Sequence, residues 1–336
     1  MKVAINGFGR IGRMIFRAFL ENRHEKFKDI EFVAVNDLAP IDISLHLLKY
    51  DSVHCRLTEK IQIAEDQKSF SVGSQNLKYF SERDPQNLPW KELGVDLVFE
   101  CTGLFKSKEK SQVHIDAGAK KVLISCPAET ADRTVVFGVN DKTIDKSTDE
   151  VLSCASCTTN CLAPAVKVLQ ENFGIVHGFA TTIHSYTADQ RLIDTTHSDP
   201  RRSRAAALNI IPTTTGATKA IEKIFPELKG KLSAVSMRVP TPDVSLVEFM
   251  FESAKKITAE EINKAFVLYS QDQLAGVLDY TTEDLVSSDL IHSPFSSIAD
   301  LKLTRVVDEN FGHIVLWYDN EWGFSNRMLD VALKLF

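Results

Sequence analysis

Val3-Ala4-Ile5-Asn6-Gly7-Phe8-Gly9-Arg10-Ile11-Gly12 decides the reading of the fold. The apolar residues predict a short strand and the glycines a tight turn, and Ile11, Ile15, Phe16 and Leu20 fall on one face of a following helix. Gly7, Gly9 and Gly12 allow that turn to close, and they let backbone N–H groups approach a pyrophosphate at the positive end of the helix. A G-x-G-x-x-G pattern means little alone; here it stands at the end of the first strand, as dinucleotide binding requires.

A second apolar run, Ile30 to Val35, ends at Asn36-Asp37. An acid at that strand tip can accept hydrogen bonds from the adenosine ribose hydroxyls and would repel the 2′-phosphate of NADP, so the pattern favours NAD. Capping of a loop is the plainer role for such an aspartate. Further strands are expected at Asp96 to Glu100, leading into Thr102, and at Lys121 to Ile124, leading into Ser125, with a helix from Ser107 to Ala117 between them. Alternation of this kind predicts a parallel sheet covered on both faces. Thr102 and Ser125 then sit at strand ends where such sheets bind ligands, although each could equally cap a helix.

The whole chain is consistent with that beginning. Its 336 residues suggest about two domains. At 44% hydrophobic and 25% charged residues, with no flexible-linker run, the domains are expected to abut. A formal net charge of −6 argues against a nucleic-acid partner held by phosphate neutralisation and gives no reason to expect a membrane surface. No run reaches the roughly 18 apolar residues needed to span a bilayer, and the first residues resemble neither a secretory signal nor a transit peptide. The six cysteines are sparse and mostly in apolar surroundings, as in reduced cytoplasmic proteins.

Three of those cysteines crowd into Ser153-Cys154-Ala155-Ser156-Cys157-Thr158-Thr159-Asn160-Cys161. A zinc or iron–sulfur site needs about four ligands; with no second Cys-x-x-Cys in the chain, no metal is expected. A redox Cys-x-x-Cys opens a helix directly, whereas Val151 to Cys154 continues a strand here. Cys161, Leu162, Ala165, Val166, Val168 and Leu169 predict a buried helix that begins near Cys157 with Ser156 as its cap, and Pro164 is expected near its first turn. Cys157 would then lie where the helix dipole favours a thiolate and can hold a neighbouring oxyanion, with Cys154 and Cys161 as packing residues. His184, at the end of the Phe179 to Ile183 strand, is a candidate base for the thiol.

A dinucleotide and a thiolate together suggest one chemistry. An unhydrated aldehyde has no oxyanion with which to expel hydride; addition of a thiolate creates one, and loss of hydride leaves a thioester ready for another nucleophile. Three segments could bind anions: Arg201-Arg202-Ser203-Arg204, Thr213 to Thr218 ahead of a helix expected over Lys219 to Phe225, and Arg238 within the apolar strand Val235 to Val239.

The segments NGFGRIGR (6–13), SCTTNCLAP (156–164), HSYTADQ (184–190), IIPTTTGA (210–217), RVPTPDVS (238–245) and WYDNEWGFSNR (317–327) closely resemble bacterial-type phosphorylating glyceraldehyde-3-phosphate dehydrogenases over essentially the whole chain. The resemblance implies an α/β protein with a Rossmann-type dinucleotide-binding domain over 1–156, completed by a C-terminal helix over about 320–336. It also implies an α+β catalytic domain over 157–319 with a mixed, largely antiparallel sheet. Cys157 would be the nucleophile and His184 its base. Gly7, Gly9, Arg10, Ile11, Gly12, Asp37, Arg83, Thr102, Ser125 and Asn320 would bind NAD, Asn320 through the nicotinamide amide. Thr187 and Arg238 would hold the phosphate of glyceraldehyde 3-phosphate; Ser156, Thr158, Thr215 and Gly216, with Arg202 nearby, would hold the attacking inorganic phosphate. A cytoplasmic homotetramer is implied as well.

Two departures stand out. Asp194-Thr195-Thr196 lacks the Leu-Pro pair often found in strictly NAD-using members, so minor NADP use is expected, and Phe324 replaces a common tyrosine. Erythrose-4-phosphate dehydrogenase shares the thiol chemistry, but its relatives lose the hydroxyl-rich segments retained here. A non-catalytic NAD-binding thiol sensor on the same fold stays open as an alternative.

Overall fold

The computed structural model describes residues 1–336. Two compact units form: Met1–Val135 with Asp141–Ala155 and Ser325–Phe336, and Ser156–Phe324 with Val136–Asn140. The C-terminal segment thus joins the first unit from Ser325, a few residues beyond the expected position.

The first unit is built on a nine-stranded sheet. Its centre is Lys2–Asn6, flanked by parallel Glu31–Asn36 and Leu97–Glu100, and then by Lys121–Ile124 and Val151–Ser153. Val3, Ala4, Ile5, Val98, Phe99, Val122 and Leu123 are fully buried, as strands covered on both faces require. The sheet is not parallel throughout. Beyond Gln75–Phe80, Ser69–Val72 and Ile61–Ile63 attach antiparallel. The two-residue turn Gly73-Ser74, with Gly73 at φ +56, is long enough only for a hairpin.

Helix Arg10–Asn22 follows the glycine turn, and every residue from Gly12 to Leu20 is buried, more than one apolar face provides. Phe16 and Phe19 pack on Phe32 with ring centroids 5.3 and 4.7 Å apart, fastening the helix to the neighbouring strand. At the returning C-terminus, Asp330 is buried between Arg327 at 2.6 Å and Lys26 at 2.7 Å.

The second unit carries an eight-stranded mixed sheet. Ile175–Ser185 runs parallel to Leu232–Val239, and Leu278–Thr281 to Ser297–Asp300; the remaining pairs are antiparallel. Helix Cys157–Asn172 contains Pro164 in its middle, not near its first turn. Leu162, Ala163, Ala165 and Val166 around it are fully buried, so packing offsets the lost backbone hydrogen bond. Helix Ala217–Ile224 starts two residues before the expected Lys219, with Gly216 at its cap.

The glycine turn can be tested by steric contrast. A Cβ on Gly12 would stand 2.2 Å from the Gly7 carbonyl oxygen, whereas nothing lies within 4 Å of one on Gly9. Gly12→Ala should therefore cost about 1–3 kcal/mol in urea unfolding, and Gly9→Ala no more than about 0.5 kcal/mol.

Candidate active site

The nucleophile candidate is placed by an abrupt change of direction. Strand Val151–Ser153 ends, Ala155 takes a left-handed φ of +56 although it is not glycine, and Ser156 caps the helix by accepting from the Thr159 N–H at 3.1 Å. A buried alanine in that region carries strain of about 1 kcal/mol or more. Cys157 follows as the first helical residue, half-buried.

Strand Ile175–Ser185 brings His184 to it, with Nε2 3.4 Å from the Cys157 Sγ. Nδ1 lies 2.7 Å from the Ser185 carbonyl, which also accepts from Arg238 Nη1 at 2.9 Å. The Ser185 carbonyl can only accept and the Arg238 guanidinium can only donate, so these neighbours favour opposite tautomers of the ring; Nε2 can take a proton from sulfur only in the one whose hydrogen sits on Nδ1 and points at the carbonyl. Arg238 sits in register opposite His184 on the adjacent strand, with Nη1 2.8 Å from Nδ1. The Tyr318 ring stands edge-on to the imidazole at 5.8 Å, and its hydroxyl bridges Thr158 and Thr182 at 2.9 Å each.

Burial, and then the Arg238 charge, push His184 down to about 3. Burial pushes the Cys157 thiol up, against the opposing pull of Arg238 and of Thr158 at the helix end. Burial and the helix end thus act on the thiol in opposite directions, with burial the larger of the two. Burial pushes Cys154 up to about 12 in spite of the Arg327 charge, and Cys161 further; both are fully buried.

The expected anion-binding groups fall in the same unit but in different states. Arg238 keeps a buried Nε without a hydrogen-bond partner, as a site for an anion would. Arg202 is committed to Asp189, to the Thr213 hydroxyl at 2.9 Å and to Asp199 at 3.6 Å. The Thr187 N–H donates to Gln190 at 3.2 Å, the Thr215 hydroxyl accepts from the Ala217 N–H at 3.3 Å, and Gly216 is exposed. Asn320 is oriented by Ser185 and Ser245, whose hydroxyls donate to its Oδ1 at 2.8 and 2.7 Å.

In the first unit, a cleft of about 280 Å³ is lined by Gly7, Gly9, Asp37, Arg83 and Thr102 among others. Asp37 accepts from the Phe8 N–H at 2.6 Å and the Ala39 N–H at 2.9 Å, so the carboxylate braces the glycine turn and retains lone pairs for a ribose. The close approach of Gly7 to Thr102 and the open space at Gly9 fit a bound pyrophosphate. Arg10, Ile11, Gly12 and Ser125 do not line this cleft; Arg10 is paired with Asp51 at 2.5 Å. Sequence reasoning missed Ala155, Tyr318 and Ser245. Their positions became meaningful only through backbone conformation and contacts between distant strands.

Family models match the chain in two parts: the NAD binding domain of glyceraldehyde 3-phosphate dehydrogenase over residues 1–108 and its C-terminal domain over 156–320. The chain is 52% identical to the glyceraldehyde-3-phosphate dehydrogenase of Geobacillus stearothermophilus, covering 99% of this chain and 97% of that protein. It is 51% identical to that of Cereibacter sphaeroides, covering 100% and 98%. The chain belongs to the glyceraldehyde-3-phosphate dehydrogenase family. The first unit is accordingly the NAD-binding domain of that family, and NAD is its cofactor. The matched C-terminal domain begins at Ser156, the cap of the Cys157 helix, and ends at Asn320, so it contains Cys157, His184 and Arg238. No helix is long and apolar enough to cross a membrane.

Alkylation separates the thiols. Iodoacetamide at neutral pH should label the half-buried Cys157 far faster than the fully buried Cys154 or Cys161; peptide mass spectrometry reads all three. Stability should also report the buried imidazole. With its folded value depressed to about 3 from 6.5, the unfolded chain takes the proton first, so this contribution is lost as pH falls from about 6.5 toward 3. His184→Asn should therefore show a shallower loss of stability between neutral and acid pH than the parent protein.

Proposed function

We propose that this protein oxidises glyceraldehyde 3-phosphate to 1,3-bisphosphoglycerate with NAD and inorganic phosphate. The observation that carries the reading is the Cys157–His184 contact of 3.4 Å beside Arg238. As sulfur bonds to the aldehyde carbon, His184 Nε2 takes the thiol proton and returns it to the carbonyl oxygen, giving a thiohemiacetal on Cys157. NAD supplies the acceptor for the hydride that this carbon then loses. His184 removes the hydroxyl proton in the same step and leaves a thioester; inorganic phosphate attacks it, the carbon–sulfur bond breaks, and the Cys157 thiol is restored.

Arg238 and Thr187 hold the substrate phosphate in this scheme. A phosphate dianion there offsets the guanidinium charge that depresses His184, so substrate binding itself makes the imidazole a better base. Ser156, Thr158, Thr215 and Gly216, with Arg202, hold the attacking phosphate, and Asn320 orients the nicotinamide amide. Gly7, Gly9, Gly12, Arg10, Ile11, Asp37, Arg83, Thr102 and Ser125 serve the rest of NAD, with Asp37 favouring it over NADP.

A cytoplasmic homotetramer is part of the proposal. Leu192, Ile193, Leu208 and Ile210 are 79%, 71%, 81% and 69% exposed on one segment, apolar surface that a second copy would cover.

NADH absorbance tests the scheme directly. Turnover should require inorganic phosphate and give a higher kcat/KM with NAD than with NADP; activity indifferent to phosphate would overturn the reaction assigned. Cys157→Ala should lose about 10⁴-fold or more in kcat with NAD binding retained, His184→Asn about 10²–10⁴-fold, and Arg238→Leu should raise KM for the aldehyde about tenfold or more.

A further inference from the structure

The most heavily satisfied buried charge in the first unit has no part in the chemistry above. Glu100, at the end of strand Leu97–Glu100, is 1% exposed, yet each carboxylate oxygen receives two hydrogen bonds. Oε2 accepts from Asn6 Nδ2 at 2.6 Å and His114 Nε2 at 3.1 Å; Oε1 accepts from the Thr102 N–H at 2.8 Å and from the Thr102 hydroxyl. The direction of each bond is determined. The indole N–H of Trp90 can only donate, and it points at His114 Nδ1 from 3.2 Å, so the imidazole hydrogen resides on Nε2, facing Glu100.

The network then crosses the strand ends. Asn6 Oδ1 accepts from Asn36 Nδ2 at 2.7 Å, and Asn36 Oδ1 accepts from the Glu82 N–H at 2.8 Å. Three parallel strand tips that surround the dinucleotide cleft are thereby tied to one carboxylate. Thr102 is its outlet: the hydroxyl hydrogen goes to Glu100, one oxygen lone pair takes the Leu104 N–H at 3.0 Å, and one lone pair remains. Its backbone nitrogen lies 2.7 Å from where a Cβ on Gly7 would stand, so a displaced Thr102 would disturb the glycine turn itself.

We infer that Glu100 and His114 are positioning residues for the cofactor: they hold Thr102 against Gly7 with its hydroxyl hydrogen turned inward, so that Thr102 meets a bound dinucleotide as a hydrogen-bond acceptor only. Its partner on the cofactor is then a donor, a ribose hydroxyl or an amino group. The inference rests on the NAD-binding reading and adds to it the polarity of one contact and the residues that set it. Glu100→Gln breaks the pattern because its amide nitrogen would face either two donors, Asn6 and His114, or the two donors of Thr102.

Isothermal titration of NAD into the parent protein, Glu100→Gln, Thr102→Val and the double variant tests this. Each single change should weaken NAD binding about tenfold, and in Glu100→Gln the loss should appear in KM for NAD and not in KM for the aldehyde. The double variant should bind no worse than the weaker single one, since both act through one hydroxyl. A Glu100→Gln protein that melts earlier but binds NAD as the parent does, or a double variant whose losses add, would overturn the inference. If Glu100→Gln does not fold, His114→Ala removes one donor to Glu100 without adding volume, and should show the same non-additivity with Thr102→Val. Failure of the parent protein to bind NAD would count against the functional reading instead.

Discussion

The catalytic unit depends on one constraint: a thiol and an imidazole are buried side by side under a guanidinium. Burial alone favours the neutral forms of both, and Arg238 depresses His184 while it pulls the Cys157 thiol the other way. Burial, the larger cause for both groups, keeps the imidazole neutral and opposes the thiolate that Arg238 favours. In the proposed reaction a phosphate dianion on Arg238 would offset part of the charge that lowers His184, which would couple affinity to basicity. Placing His184 and Arg238 in register on adjacent strands fixes the spacing of their backbones, so the sheet sets where the two side chains start.

The nucleotide-binding unit solves a comparable problem with the opposite sign. Strand ends expose polar groups in a region otherwise packed with Val, Ile and Phe, and a cleft there cannot satisfy them all by water. Glu100 and Asn6 gather these donors into a closed set, and Asp37 does the same for the glycine turn through the N–H groups of Phe8 and Ala39. A buried carboxylate costs several kcal/mol unless it is fully hydrogen-bonded; with four donors on Glu100, the charge becomes an anchor.

Much of this was legible in the sequence because the relevant signals are local. The Val3 to Gly12 stretch, the caps Ser107 and Ser156, and Cys157 at a helix start follow from hydrophobic period and capping chemistry, which act within a few residues. The antiparallel edge at Ile61–Ile63 and Ser69–Val72 was not expected, since Gly73-Ser74 reads as an ordinary turn and only pairing shows which strand it joins. The burial that opposes a thiolate at Cys157 was not legible, because a helix terminus is visible in sequence while desolvation is not. Tyr318 and Ser245 were missed for a related reason: each acts on residues far off in the chain, 160 positions away for Tyr318 and Thr158 and 75 for Ser245 and Asn320.

The places where local rules failed lie close together. Ala155 adopts a conformation suited to glycine, and Pro164 interrupts the hydrogen-bond ladder of the helix whose first residue is Cys157. Both are unfavourable by propensity alone, and both are tolerated where the surrounding side chains are fully buried and overdetermine the backbone. The strain at Ala155 has a definite effect: it ends the strand abruptly enough for Ser156 to cap the helix, so Cys157 occupies the first turn, where backbone N–H groups point outward. Local strain at Ala155 and burial of the thiol are therefore parts of one arrangement, in which packing energy is converted into the position of a single sulfur atom.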